Sequence, residues 1–304
     1  MGNSNNNLNL SKKLRNDEFY TQYNTIERLF NPISYYFEDK SILCNCNDVG
    51  KNFHRYFLDN FDKFKLKKLI LMHFGENRNK LFGNGGYYIE YTDSENFKKF
   101  DNIGSGSFSS VAGHKLLDEC DLCITNPPFS KINEYYQTLK KHDVQFIFFH
   151  TLLFLTTSKS ITVKEFLDEN IFPYTIHGIQ YDSHLFKFEA IDGNIMDLNN
   201  VCLWTNINEF FKPYKLDLNK KFDDENYEKF DNSDIIIINS KNDIPVDYNG
   251  IMAVPYNYIL YHDKNKFNML GDTRYPDGIN RNPLYFKGKE LFRKLLIQKI
   301  QNNG

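Results

Sequence analysis

The chain has almost no imbalance of charge. Its 304 residues carry 37 lysines and arginines against 39 aspartates and glutamates, a formal net charge of −2. The whole-molecule field therefore favours neither polyanions nor polycations, and any binding of nucleic acid must come from a local patch. It also lacks an apolar run long enough to cross a bilayer and an N-terminal secretory pattern, which argues against membrane and exported classes. Five cysteines, an odd number, do not describe a disulfide framework; together with the missing leader they indicate a reducing, cytoplasmic setting. Cys44-x-Cys46 and Cys120-x-x-Cys123 have the thiol content of a zinc site. Both pairs lie in or beside apolar, strand-like runs, where cysteine serves as a small buried hydrophobe, and no metal is expected.

Proline is scarce too, at nine residues, which makes the doublet in Asn126-Pro127-Pro128-Phe129 conspicuous. The run Leu122-Cys123-Ile124-Thr125 before it reads as a buried strand, so these four residues arrive at the carboxyl end of a sheet, where open α/β folds place chemistry. A turn that merely ends a strand is the plainer alternative. The residue types suit a particular task. The lone pair of an aromatic exocyclic amine is delocalised and poorly nucleophilic until hydrogen bonds localise it, and the Asn126 side-chain oxygen and Pro127 carbonyl can accept those bonds. Pro128 fixes its own φ and pushes the preceding residue toward extended geometry, aiming both acceptors beforehand. Phe129 offers a flat face to a base drawn out of its duplex.

Along the chain, residues 1–16 begin Asn-rich and read as a disordered leader. Strand-like and helix-like segments then alternate: strand Ser41–Cys44, helix Phe53–Phe64, strand Leu69–Met72, a Gly-rich turn entering strand Tyr87–Tyr91, strand Leu122–Thr125, helix Ile132–Lys140 and strand Gln145–Phe149. This order predicts a mostly parallel sheet with helices on both faces. Tyr174–Tyr181 and Asn200–Ile207 are expected to pair as an antiparallel hairpin. Beyond Phe210 the chain turns acidic and loop-rich, with a strand at Ile235–Ile238, and a domain change is expected near residue 210. The basic tail Arg281, Lys287, Lys289, Arg293, Lys294, Lys299 fits a phosphate-contacting patch or a solvated helix end, and Lys212, Asn249, Arg274 and Arg281 are candidates for base-edge contacts or plain surface residues.

Several runs carry a family likeness: Asp17-Glu18-Phe19-Tyr20-Thr21-Gln22-Tyr23, Cys44-Asn45-Cys46-Asn47-Asp48, Gly104 to Ser110, Asn126 to Ser130, Asn200 to Asn206, and Asp243 to Met252 with Val254-Pro255. In these the chain resembles the EcoRI modification methylase family of adenine-N6 DNA methyltransferases, over nearly all of its length after residue 16. The resemblance implies an α/β, Rossmann-like class I methyltransferase fold, with an S-adenosylmethionine-binding catalytic domain over 17–209 and a target-recognition region over 210–304. It implies that Phe19, Tyr20 and Thr21 hold the amino-acid end of the cofactor and that Cys44, Asn45, Asn47 and Asp48 lie in the cofactor turn. Glu76 is then a candidate for the ribose hydroxyls, Ser107 for the cofactor's adenine amine, and Phe108 for a stack on that adenine. Asn126, Pro127, Pro128 and Phe129 become the catalytic group. Cofactor segments preceding Asn126 match the gamma arrangement of amino-methyltransferases. The partner implied is double-stranded DNA, with a short palindromic target such as GAATTC and a cognate restriction endonuclease acting separately; a membrane is not implied, and the protein is expected to be a monomer or a dimer.

The chain departs from the family at two places, one of them Asn47, which stands where an aspartate is usual. Where the family favours Gly-Asp-Gly-Asp-Phe, this sequence has Gly104-Ser105-Gly106-Ser107-Phe108, and a neutral acceptor bonds less strongly than a carboxylate. A catalytically weakened scaffold that binds nucleic acid or protein is the reading this departure raises. A methyltransferase for a glutamine side chain or an RNA base is a further alternative, since the same motif serves planar amides; Phe129 in place of the tyrosine usual for glutamine speaks against it.

Overall fold

The computed structural model describes residues 20–46, 49–75, 85–152, 154, 163, 171–173, 187–189, 195–197, 201–291 and 294–301. The chain divides into two compact units, one of residues 1–150 and 176–207, the other of residues 151–175 and 208–304. The leader, the proposed strand Tyr174–Tyr181 and the site candidates Phe19, Asn47, Asp48 and Glu76 lie outside the described residues.

The first unit is built on a sheet whose strands are β1 (Ser41–Cys44), β2 (Lys68–His73), β3 (Tyr87–Tyr91), β4 (Phe97–Phe100), β5 (Leu122–Thr125), β6 (Gln145–Thr151) and β7 (Val201–Thr205). Their spatial order is β4-β3-β2-β1-β5-β6-β7. β1 is parallel to both β2 and β5, and β5 is parallel to β6, while β3 and β4 form an antiparallel hairpin at one edge. The hairpin so described is Tyr87–Tyr91 with Phe97–Phe100, not the one expected from the sequence. The central strands form because they are continuous apolar runs: Ile42, Leu43, Cys44, Leu122, Cys123 and Ile124 are all fully buried, as strands covered on both faces must be.

The helices that matter here are α1 (Tyr23–Phe30), α2 (Asn52–Asp59), α3 (Val111–Glu119) and α4 (Ile132–His142). The expected helix Phe53–Phe64 is in fact two, α2 and a short turn Phe61–Phe64. Asn60 breaks it with φ −112° and ψ 13°, and its Nδ2 donates to the Tyr56 carbonyl. The crossover β1–α2–β2 steps one way along the sheet and β5–α4–β6 steps the other. Because such crossovers are right-handed, α2 and α4 fall on opposite faces; α1 packs on α2, and α3 on α4. Much of the aromatic content is spent here: Phe30, Phe37, Phe53, Tyr56, Phe57 and Phe64 interlock with ring centroids 5.2–6.5 Å apart. The direction of stepping reverses between β1 and β5, so the crevice beyond their carboxyl ends is the topological switch point of the sheet.

The second unit carries its own sheet, with strands β8 (Ser233–Ile237), β9 (Ile251–Pro255), β10 (Phe267–Asp272) and β11 (Lys294–Lys299). β8 is parallel to β9, and β11 lies between β9 and β10, antiparallel to both. Phe230, Ile235, Ile237, Ala253, Leu284 and Leu296 form one of its cores. This corrects the reading of the tail as a helix end: Leu295, Leu296 and Ile297 are fully buried, and Lys294 and Lys299 flank an interior strand. Among the described residues no helix is long and apolar enough to cross a membrane.

Candidate active site

At the switch point the ends of β1 and β5 are tied together. The Cys46 backbone N–H donates to Thr125 Oγ1 at 3.0 Å, which joins the cofactor-turn candidate Cys44-Asn45-Cys46 to the residue before Asn126. Cys44 itself is fully buried, and burial raises its thiol well above the usual range; its side chain belongs to the core and only its backbone can serve a ligand. Further along the same loop, the Gly50 N–H donates to His54 Nδ1 at 2.7 Å and His54 Nε2 meets Tyr91 Oη at 3.2 Å. Nδ1 accepts, so the proton sits on Nε2, and burial lowers the basicity of the ring.

Asn45 is 3% exposed. Its Oδ1 accepts from the Tyr135 hydroxyl of α4 at 2.9 Å and lies 3.6 Å from the thiols of Cys123 and Cys46. Cys123 Sγ and Tyr135 Oη are in turn 3.2 Å apart. The other end of the same amide, Nδ2, is buried with no hydrogen-bond partner among the described residues. An unmatched buried donor costs about 1–3 kcal/mol, so a ligand that brings an acceptor here removes a standing penalty. Tyr135 is fully buried, and burial raises its phenol well above the ordinary value; it stays a donor.

Asn126 is 9% exposed, and its Nδ2 reaches Thr21 Oγ1 at 3.5 Å. The contact assigns the nitrogen edge of the amide to the N-terminal segment and puts Oδ1 on the opposite edge. Thr21 is held in turn: Tyr20 and Thr21 pair antiparallel with Phe188 and Glu189, and the Thr21 carbonyl accepts from Asn52 Nδ2 of α2 at 2.9 Å. Pro127 is buried and Pro128 sits at φ −57°, ψ 122°, the φ being the one its ring imposes. The chain then makes a tight turn, Phe129–Lys131, closed by Lys131 N–H to the Pro128 carbonyl at 3.0 Å. Phe129 is half-buried, its ring 4.7 Å from that of His150.

The serine-substituted segment keeps its shape by local bonds. Ser107 N–H donates to Ser105 Oγ at 3.2 Å, and Ser109 N–H donates to Ser107 Oγ at 3.3 Å, turns that aspartate side chains also make. Gly106 has φ +65°, and a Cβ there would collide with the His73 carbonyl. The backbone is docked by Gly75 N–H to the Ser105 carbonyl and Gly86 N–H to the Gly104 carbonyl, both at 2.9 Å. Phe108, 5% exposed, meets Tyr135 edge-on at 5.0 Å and 88°. Thus Thr21, Asn45, Phe108 and Asn126 are linked through Thr125, Asn52 and Tyr135, three partners that sequence reasoning did not single out. Tyr135 gives no local signal, since in sequence it is one tyrosine on an amphipathic helix. Among the described residues no group of three or more His, Cys, Asp or Glu side chains is arranged to hold a metal.

Of the surface candidates for DNA contact, Arg274 is engaged by Asp272 at 2.9 Å and Arg281 by Glu290 at 2.7 Å, whereas Lys212 and Asn249 are exposed.

Comparison with known proteins agrees with this arrangement. The chain is 37% identical to the type II methyltransferase M.EcoRI of Escherichia coli, with 96% of this chain and 95% of that protein covered. It is 29% identical to M.MgeORF184P of Mycoplasma genitalium over 86% of the chain and 85% of the relative. It is 26% identical to M.MpnI of Mycoplasma pneumoniae over 97% and 98%. No solved structure matches it significantly. The profile of one family covers residues 7–282, and the chain belongs to that family, the adenine-specific methyltransferases of the EcoRI type.

Proposed function

We propose that this chain methylates N6 of an adenine in duplex DNA with S-adenosylmethionine as donor, as the modification partner of a restriction endonuclease that acts separately. The observation that carries the assignment of roles is the junction at the switch point, where the Asn45 and Asn126 amides hang from adjacent strand ends tied by Cys46 and Thr125. The cofactor supplies an electrophilic methyl group on a sulfonium. The residues present fit it. Asn45 Nδ2 is a buried donor in need of an acceptor, Thr21 is bonded to Asn126 at the adjacent strand end, and Phe108 offers an aromatic wall. Ser107 is a neutral acceptor for the adenine amine.

Asn126 Oδ1 and the Pro127 carbonyl accept the two N6 protons and so concentrate the nitrogen lone pair along one direction. Pro128 holds both acceptors in place, which makes the contribution of this pair one of positioning and fixed dipoles, worth several kcal/mol in well-oriented sites. The adenine leaves the duplex at a cost of a few kcal/mol, recovered in part by stacking on Phe129. Asn126 Oδ1 is shielded from solvent in this conformation, and the base reaches it as the edge opposite Thr21 opens. Residues 210–304 are assigned to reading the target sequence.

Sequencing DNA from cells that express the chain, with detection of methylated adenine, tests this. Modification at one short sequence is expected. Unmodified DNA in the presence of folded protein overturns it.

A further inference from the structure

We propose that Tyr135 is a positioning residue for the cofactor: its hydroxyl holds the Asn45 amide by the oxygen, so that Asn45 Nδ2 donates to the carboxylate of the S-adenosylmethionine amino-acid end. The inference rests on the methyl-transfer reading above and names a residue and an atom-level role that the reading does not need.

The geometry supports it in three steps. An amide has two ends, and a bond to one end fixes the direction of the other. Tyr135 Oη takes Oδ1 at 2.9 Å, and the Cys123 and Cys46 thiols crowd the same oxygen at 3.6 Å, so the amide is fixed with its nitrogen turned away from this cluster. That nitrogen is buried and unmatched, and it belongs to the residue immediately after β1, one position before the Cys46 N–H that is latched to Thr125. The acceptor suited to a lone buried N–H at this strand end, whose neighbour carries the Asn126–Thr21 contact, is an anionic oxygen, since charge-assisted bonds are the stronger ones. A structural role alone accounts poorly for the cluster. Tyr135 is surrounded by Phe108 and Phe148, with ring centroids 5.0 and 6.1 Å away, and an apolar residue would fill that space without burying a hydroxyl, two thiols and a half-satisfied amide. Through its ring the same tyrosine backs Phe108, so one side chain on α4 supports both the turn after β1 and the aromatic wall.

Calorimetry on the full chain tests this with three ligands: S-adenosylmethionine, S-adenosylhomocysteine and 5′-methylthioadenosine, the last lacking the amino-acid end. Tyr135→Phe keeps the ring against Phe108 and removes the hydroxyl, with its bond to Asn45 Oδ1 and its contact with Cys123 Sγ. It should weaken both amino-acid-bearing ligands about 3- to 10-fold, the worth of one hydrogen bond, and leave 5′-methylthioadenosine unchanged. Asn45→Ala should do the same, and the double variant should lose no more than Asn45→Ala alone. In turnover, Tyr135→Phe should raise the cofactor KM and change kcat less than about twofold, as expected for a lost ground-state contact. If the wild-type chain binds none of the ligands, the methyl-transfer reading itself fails. If it binds them and Tyr135→Phe matches it, or weakens all three equally, the positioning role is overturned. Should Tyr135→Phe not fold, Asn45→Ala with the three ligands decides by the same criterion.

Discussion

The carboxyl edge of the first unit's sheet and the ion pairs of the second unit use polar groups differently. In the first, the carboxyl edge of the sheet gathers Thr21, Asn45, Thr125, Asn126 and Tyr135 into a chain of hydrogen bonds that ends on an unmatched donor, Asn45 Nδ2. In the second, the charged groups close on one another: Asp272 accepts from Arg274 Nη2 at 2.9 Å and from the Arg274 backbone N–H at 2.7 Å, and Lys287 and Arg281 find Glu228 and Glu290. An edge that leaves polarity incomplete is shaped for a ligand, whereas an arginine already saturated by a buried carboxylate is shaped for the fold. The contrast bears on the basic tail, where Lys294 and Lys299 are the end residues of the buried strand β11 and Lys287 is paired with Glu228.

The contrast can be broken at its strongest point by Asn126→Ala. Transfer of labelled methyl to DNA should fall by about 10²- to 10³-fold, the scale of losing one preorganised hydrogen-bonding group, with the melting temperature little changed; full activity in this variant would show that Asn126 is not part of the chemistry. Arg274→Ala comes next. It strands Asp272, whose side chain is 1% exposed, and should cost about 3 kcal/mol in denaturant unfolding. A loss of DNA affinity with unchanged stability would instead make Arg274 a contact residue.

A third test contrasts half-buried His54 with buried His262. His54 has both ring nitrogens engaged, while His262 Nδ1 has no partner among the described residues and burial lowers its pKa from 6.5 to about 4. The sign follows from linkage. Above pH 6.5 the ring is neutral folded or unfolded and contributes nothing. As the pH falls from 6.5 to 4, the unfolded chain takes up a proton that the folded one refuses, so stability drops, by about 3 kcal/mol over that window. His262→Phe should remove this part of the acid sensitivity, seen as a shallower fall of unfolding free energy with pH than in the wild type.

The two smallest effects sharpen the comparison. Ser107→Asp restores the charged acceptor usual in the family and should tighten S-adenosylmethionine binding by about 3-fold in calorimetry. Arg281→Ala removes a pair whose arginine side chain is 48% exposed and should change stability by under about 1 kcal/mol.

How much of this was legible in the sequence depends on whether a residue's role is set locally. Strands Ser41–Cys44 and Leu122–Thr125 have the predicted bounds because a strand buried on both faces is written as an uninterrupted apolar run, and Tyr87–Tyr91 has them because its aromatic run follows a glycine-rich turn. Asn126 to Phe129 announced themselves through proline, whose constraint acts on its own neighbours. β4 escaped because Phe-Lys-Lys-Phe is exposed throughout and does not alternate. α3 escaped although Ser110 caps it, accepting from the Gly113 N–H at 3.1 Å. Gly113 in its first turn looks like loop, yet a side chain there would meet the Phe108 carbonyl. The partnership of Tyr135 with Asn45 spans 90 positions, and no local pattern writes such a bond. The same holds for Arg274 and Lys294, whose charges suggested a surface until tertiary packing placed one beside Asp272 and the other at the start of a core strand.

The docking of Gly104–Gly106 onto Gly75 and Gly86 has a dynamic consequence. Main chain here lies against main chain, with no side chain between to act as a cushion, so this corner has no soft mode by which to breathe in small steps. The amides of Gly75 and Gly86, each bonded across the corner at 2.9 Å, should exchange with deuterium slowly and together, and the wall formed by Phe108 inherits that stiffness: a ligand arriving there meets a surface already set.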